Sequence, residues 1–197
     1  AVRWAVNCAF GNRQVIAHRT RKALEKALGM SSAEVGLRTV YEVAHNIAKF
    51  ETHIVDGRER RLCVHRKGAT RAFAPGCGEV PPEYRAIGQP VLIPGDMGRY
   101  SYVLTDTEKA IHDTFGSTCH GAGRAMSRVK ARQAAAGRNI IREMEERGII
   151  VRGQSRRTVD EEISEAYKDV SNVVDACALA GISRKVAQLR PIGCIKG

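Results

Sequence analysis

An α+β fold is what this sequence predicts, and three observations predict it. Apolar residues recur at helical spacing through several stretches. Short β-type runs, flanked by Gly, Pro or Asp-Gly, stand between them. The two kinds intermingle without the regular strand–helix–strand rhythm of a parallel α/β sheet. With 197 residues, 43% of them apolar, the chain has material for one domain or one large piece of a domain.

The elements follow in order. Helical periodicity runs from about Asn12 to Leu28 and stops at Gly29. Ser31-Ser32-Ala33-Glu34 has the spacing of a capping box and predicts a second helix to about Glu51. Its buried stripe would be Val35, Val40, Val43, Ala44, Ile47 and Phe50. Thr52–Val55 and Arg61–His65, around Asp56-Gly57, predict a hairpin. Residues 67–90, rich in Gly and Pro, read as a long ordered loop. Pro90–Pro94 and Tyr100–Leu104 read as strands on either side of a Gly95–Gly98 turn. A short helix over Glu108–Phe115 leads into a glycine-rich loop, and a long helix is predicted from Gly123 to Arg147. Ile149–Val151 is a strand, and Thr158–Glu161 caps a last helix to about Ala180. The apolar run before Lys196 predicts a docked terminus. Ala1–Val6 reads as the middle of a packed element, which suggests a partial or processed chain.

Charge narrows the function classes. Lys and Arg number 32 against 21 Asp and Glu, a net +11 that suits a polyanionic partner. A basic solvated surface would give the same count. No uncharged apolar run is long enough to span a membrane, and no secretory signal is visible. Cys8, Cys63, Cys77, Cys119, Cys177 and Cys194 are scattered without a CxxC pair. That usage fits reduced thiols in a cytoplasm better than a disulfide framework or a zinc finger.

The stretch with most chemistry is Gly116-Ser117-Thr118-Cys119-His120-Gly121-Ala122-Gly123-Arg124. Glycines allow close backbone approach to a ligand, and N–H groups opening a helix attract anions. A histidine in such a loop can attack phosphorus or simply hydrogen-bond a phosphate. The loop is neither a P-loop nor a dinucleotide fingerprint. Arg124, Arg128 and Arg132 recur every four residues, which predicts one cationic helix face. His65-Arg66-Lys67-Gly68-Ala69-Thr70-Arg71 reads as a phosphate cradle, and Pro94–Gly98 as a second turn with exposed N–H groups. His45-Asn46 falls inside the predicted second helix, where a lone histidine is more often a core residue than a metal ligand.

Taken together and in this order, these pieces closely resemble the C-terminal part of the RtcB family of RNA ligases. The matching segments are Ala5-Val6-Asn7 with Asn12-Arg13-Gln14, His45-Asn46, His65–Arg71, Pro94–Gly98, Ser101-Tyr102-Val103, His120–Arg124 and Ile195-Lys196-Gly197. The likeness covers essentially the whole chain. Residues 1–197 would then be the C-terminal part of a single catalytic domain of that α+β type. The resemblance implies a GTP- and Mn²⁺-dependent ligase in tRNA splicing and RNA repair. It would join RNA ends carrying a 2′,3′-cyclic phosphate or 3′-phosphate to 5′-hydroxyl ends.

By the same resemblance, His120 is the nucleophile that takes GMP from GTP, and His45 is a manganese ligand. His45, Asn46, Pro94, Gly95, Asp96, Met97, Ser101, His120, Gly121, Ala122, Gly123 and Lys196 would line the guanine-nucleotide site. Lys67, Arg124 and Arg128 would hold phosphates of GTP or RNA. The expected partners are RNA such as tRNA halves, GTP, the upstream half of the ligase and an activating helper protein. The family's other metal ligands and a nucleotide-binding asparagine come from segments upstream of Ala1. Arg99 stands where a small hydroxyl residue is expected. Two readings of other classes remain: a basic RNA-binding module without catalysis, and a histidine-based transferase acting on a small molecule.

Overall fold

The computed structural model describes residues 2–196. Helix α1 (Val2–Leu28) opens the chain and ends at Gly29, whose φ of +66° suits a glycine past a helix end. Its first turns are uncovered among the described residues, with Trp4 75% exposed. The predicted packing of that stretch is therefore not supplied by the described residues. Arg13 on α1 grips Glu42 at 2.5 Å, and Arg21 donates to the Leu37 carbonyl at 3.0 Å, which ties the following segment back to the helix.

The capping box at Ser31 forms as predicted, but the helix it opens is only one turn, α2 (Ser32–Val35). Gly36 stops it in the left-handed region at φ +64°. Residues 37–44 are irregular, and Asn46–Val55 form strand β1, antiparallel to β2 (Arg58–Lys67). The helix to Glu51 is thus corrected to a strand. Its spaced β-branched and aromatic residues found a pairing partner twelve residues on, and tertiary pairing overrode the local period. The hairpin itself is longer than predicted and turns at Asp56-Gly57, both at positive φ.

Residues 67–90 are not one loop. They contain β3 (Ala69–Arg71), which pairs with β6 (Ser117–Cys119), and a 3-10 turn over Pro82–Tyr84. Strands β4 (Val91–Ile93) and β5 (Ser101–Asp106) and helix α3 (Glu108–Thr114) stand where the sequence put them. The long helix from Gly123 to Arg147 does not exist. Arg124 pairs with Tyr167 in an isolated bridge, Ser127 caps α4 (Arg128–Ala135), and Gly137 at φ +79° separates it from α5 (Ile140–Glu146). The last predicted helix also divides, into α6 (Arg156–Asp160), a 3-10 turn, and α7 (Val170–Leu179) capped by Asp169. Between α5 and α6 runs β7 (Ile150–Gly153), and β8 (Ser183–Leu189) and β9 (Gly193–Lys196) close the chain. β9 pairs with β7, so the end is docked as expected.

Strand order β4-β5-β8 makes the largest sheet. Two apolar clusters hold the molecule. One gathers Met97, α4, α5, β7 and Ile163. The other gathers Ala72, Val91, Ile93, Tyr102, Leu104, Ala122, Val170 and Val174. The histidine loop packs on the second through Ala122 and Cys119, and its bridge partner Tyr167 packs on each. No described helix is long and apolar enough to cross a membrane.

Beneath that loop runs a buried polar chain. Thr118 Oγ1 lies 2.6 Å from Ser183 Oγ, which donates to Asp106 Oδ1 at 2.6 Å. Since Ser183 has one hydroxyl proton, Thr118 is the donor to it. Asp106 is 2% exposed and its Oδ2 has no partner. Burial therefore pushes its carboxyl from 3.8 up to about 7, with the Ser183 bond working the other way. The folded state then binds more protons than the unfolded between about pH 4 and 7, so stability falls as pH rises through that window. We expect Asp106→Asn to flatten the fall, which for one such group is of order 2–4 kcal/mol between pH 5 and 8. Urea denaturation at both pH values checks this, and parallel pH profiles for wild type and variant would refute it.

Candidate active site

His120 sits where three strand ends meet. β6 delivers it from below, with Cys119 opposite Ala69 on β3. Gly68 joins β2 to β3 at φ +70°, a conformation that favours glycine. A Cβ on Gly68 would stand 3.6 Å from His120 Cε1, so the bare backbone lies against the ring. His45, one residue before β1, stacks on His120 with ring centroids 5.4 Å apart and planes at 27°. After His120 the chain is pinned by Ala122 N–H donating to the Pro94 carbonyl at 3.1 Å and by Gly123 O accepting from Lys168 N at 3.0 Å.

These groups border a cavity of about 510 Å³. His45, Pro94, Gly95, His120, Gly121, Ala122, Gly123 and Arg124 all line it, joined by Arg13, Glu42 and Tyr167. The structure thus brings together, around one hollow, residues up to 154 positions apart in sequence, from Arg13 to Tyr167. A larger hollow of about 730 Å³, between α1 and the hairpin, is walled in part by Asn7 and Arg71 but by none of the residues that the resemblance puts at the nucleotide, metal or phosphate positions. Its wall carries the free thiol of Cys63 but no histidine.

Charge around the smaller cavity is uneven. Burial first, then the His120 and Arg13 charges, lowers the His45 pKa, so its imidazole is neutral and keeps a lone pair to give. Arg13 spends Nε on Glu42, while its Nη2 is buried without a partner. Glu42 is further held by Gln14 at 2.9 Å. Across the cavity, Glu162 accepts from Arg124 Nη1 at 3.0 Å, Tyr167 OH at 2.7 Å and Lys196 Nζ at 3.0 Å. Burial works to raise its pKa, but those partners outweigh it and hold the carboxylate charged. Both carboxylates are therefore already neutralised, and the hollow is left cationic.

The remaining predicted residues fall into two groups. Asn46 and Lys67 face each other at the open end of the hairpin, one residue from His45 and Gly68 respectively. Lys196 reaches the site through Glu162. Asp96, by contrast, spends its carboxylate inside its own loop. It takes Arg99 Nε at 2.6 Å, the Ser164 hydroxyl at 2.5 Å and Gly98 N–H at 3.0 Å. The Pro94–Gly98 turn accordingly has fewer free N–H groups than the sequence suggested. Met97 buries its side chain in the core, and Ser101 Oγ accepts from Gly95 N at 3.4 Å. Any nucleotide contact from Met97 comes from its backbone. Arg99 straps this turn to the Ser164 and Tyr167 carbonyls and does not line the cavity.

The single arginine face is also corrected. Arg124 precedes α4, and only Arg128 and Arg132 share a helix face. All three still converge, on the neighbouring Glu161 and Glu162. The helix N-terminus lies at Ser127, so its N–H groups do not serve His120 directly. Sequence reasoning missed Tyr167 and Glu162, and its phosphate cradle is corrected at Arg66, whose buried fork is spent on Glu51, Ser117 and the Phe115 carbonyl. A signal existed for Arg66: Val64 and Arg66 alternate on one strand face, and Val64 must point inward.

Among the described residues, no three His, Cys, Asp or Glu side chains converge as a metal set. His45 suits a first-row divalent cation by chemistry, yet one imidazole is a single donor.

Comparison with known proteins places the chain. The family model described as "tRNA-splicing ligase RtcB" matches residues 1–197. A relative so named from Archaeoglobus fulgidus is 55% identical over 193 residues, covering 98% of this chain and 40% of the relative. One from Methanococcus maripaludis is 50% identical over 197 residues, covering 100% and 41%. One from Pyrococcus abyssi is 51% identical, covering 100% of this chain and 22% of its own length. The chain therefore spans between a fifth and two-fifths of these relatives.

The turn beside the cavity generates a prediction. A Cβ on Gly95 would stand 2.0 Å from the Tyr100 carbonyl and 3.0 Å from Val170 Cγ1, and a backbone atom cannot step aside. Gly95→Ala should destabilise the fold by about 2–4 kcal/mol, the range of overpacked or strained sites. An unchanged urea midpoint would mean the turn is not held against β5 as described.

Proposed function

The chain belongs to the RtcB family, and from that premise we propose that it carries the guanylyl-accepting part of a GTP-dependent RNA ligase. The observation that supports this most is the setting of His120: a glycine loop, bare Gly68 backbone against the ring, a stacked neutral histidine, and cations on both sides. Arg13 Nη2, buried and unpartnered, is the kind of donor an anionic oxygen would satisfy. In this reading His120 attacks the α-phosphate of GTP, a P–N bond forms, and pyrophosphate leaves. The GMP then passes to an RNA 3′-phosphate. The 5′-hydroxyl of the second RNA attacks that phosphate, the new phosphodiester forms, and GMP leaves.

The order makes chemical sense. A bare 3′-phosphate has no good leaving oxygen, and the GMP cap supplies one. Lys67, Arg124 and Arg128 would offset phosphate charge, Arg124 chiefly through its field, since Met126, Glu161, Glu162 and Tyr167 take its donors, and the other two as exposed, mobile charges. Asn46, Pro94 to Met97, Ser101, Gly121 to Gly123 and Lys196 would surround the nucleotide. Mn²⁺, where bound, would neutralise phosphate charge, and His45 would be this chain's ligand to it. With one donor among the described residues, the other ligands would come from the part of the relatives that this chain does not span. The natural RNA would be tRNA halves or broken RNA.

Two predictions test the reading. Incubated with α-labelled GTP and Mn²⁺, the chain supplemented with the upstream portion of the Archaeoglobus relative should take up acid-labile, alkali-stable label. His120→Ala should abolish that label, and His45→Ala should lower it together with Mn²⁺ affinity. Label surviving in His120→Ala would sink the assignment. RNA binding without any label would favour the basic RNA-binding module. Separately, Lys67→Ala and Arg128→Ala should each weaken RNA binding and reduce its salt slope by about one. Curves that overlay wild type across a salt series would make both residues solvated surface.

A further inference from the structure

Arg66 is fully buried, heavily hydrogen-bonded and unused by the proposed reaction. It is 2% exposed, and every nitrogen of its fork is spent. Nη1 and Nη2 grip the two Glu51 oxygens at 2.7 and 2.8 Å. Nε donates to Ser117 Oγ at 2.9 Å, and Nη2 donates also to the Phe115 carbonyl at 2.7 Å. Glu51 in turn holds His53 at 3.1 Å, and the His53 ring packs on Phe115 with centroids 5.0 Å apart.

The turn that receives these contacts is strained. Phe115 has φ +52° and Gly116 φ +61°, two consecutive left-handed residues. For phenylalanine that conformation is an outlier, and it persists only where the surroundings impose it. This turn reverses the chain from α3 into β6 and so sets the backbone that presents His120. Two residues beyond Arg66, Gly68 lies against the His120 ring. One short stretch, 66–68, therefore touches the histidine segment twice, once before His120 and once at its imidazole.

We propose that Arg66 is a positioning residue for His120, bracing the Phe115–Ser117 turn from the same strand end that abuts the ring. This rests on reading His120 as the nucleophile. A lysine there keeps the charge but lacks the planar fork, so it cannot serve Glu51, Ser117 and the Phe115 carbonyl together. The turn would relax, and His120 would shift relative to Gly68 and His45. A displacement of an ångström or less at a reacting atom is enough to cost about two orders of magnitude in rate.

The test uses Arg66→Lys and the milder Ser117→Ala, which removes only the acceptor for Nε. In the supplemented labelling assay, Arg66→Lys should lower the guanylylation rate about 10- to 100-fold while KM for GTP stays within about two-fold. Ser117→Ala should show a smaller loss of the same kind. The second readout needs no activity. The His120 Cε1–Hε1 NMR signal, assigned by its loss in His120→Ala, should move in both variants while that of His18 on α1 stays put. Wild-type rates and an unmoved His120 signal in folded variants would overturn the proposal. So would a loss of labelling that only tracks the folded fraction measured by circular dichroism. If wild type takes no label, the guanylyl reading fails, and the NMR signal still decides whether Arg66 positions His120. If Arg66→Lys does not fold, Ser117→Ala decides alone.

Discussion

Tyr167 and Arg124 form the contact on which the site's far wall depends. Their backbones pair in an isolated bridge, and the guanidinium lies 4.8 Å from the ring centre. The Tyr167 ring packs against both apolar clusters, so the bridge is anchored where the two cores meet. Burial and the nearby Glu162 charge push its phenol up to about 12, which keeps it a proton donor at any ordinary pH. That donor holds Glu162, and Glu162 holds Lys196 at the far end of the chain. The Tyr167 carbonyl also takes the Arg99 strap from the Pro94–Gly98 turn. Loosening this pair would free the loop after His120, the Pro94–Gly98 turn and the last strand together.

How much was legible in the sequence depended on whether local signals had competition. The β1–β2 turn, β4, β5, α3 and β7 were readable because each lies between strong punctuators, Asp56-Gly57, Pro94-Gly95 or Gly148. The stretch from Val35 to Phe50 was not. Its apolar spacing matched a helix, but Gly36 could take a left-handed φ and Phe50 gained Cys63 across the hairpin. The supposed long helix after Gly123 failed for a related reason. Gly123 and Gly137 permit positive φ, and Arg124 found a backbone partner forty-three residues away. Propensity sees none of these partners. The candidate site was legible as a set of types, a histidine, glycines and arginines, while its geometry came only with the fold.

The net charge of +11 is not spread evenly over idle surface. Arg128, Arg132 and Arg157 share the single carboxylate of Glu161, the first at 3.5 Å, the second at 2.5 Å and the third at 3.4 Å. One acid cannot neutralise three guanidiniums, so that patch keeps an excess of positive charge next to Arg124. Exposed ion pairs of this sort stabilise a fold little. Their arrangement matters more as an electrostatic field, and a field of that sign close to His120 favours an approaching phosphate. Arg66 is the opposite case. Sealed from water and paired bidentately with Glu51, it contributes nothing to the outer field and acts through geometry alone.

Under the proposed reading, the division of carboxylates around the cavity points to a centre shared with further chain. Glu42 is held by Arg13 and Gln14, and Glu162 by Arg124, Tyr167 and Lys196. Each of their oxygens already accepts a hydrogen bond, from an exposed partner only at Glu42 Oε2, where Gln14 donates. Among the described residues, His45 is the imidazole that stacks on His120, and its lowered pKa favours the neutral form with a lone pair for a cation. What these residues build is a cationic hollow that, in the proposed reading, would take a polyanion beside His120, with too few donors among the described residues to satisfy a divalent ion. A triphosphate bound there would still carry negative charge toward any second phosphate. In that reading the missing neutralisation would come with further ligands, and the relatives, about two and a half and four and a half times as long as the span matched here, have the chain length to provide them.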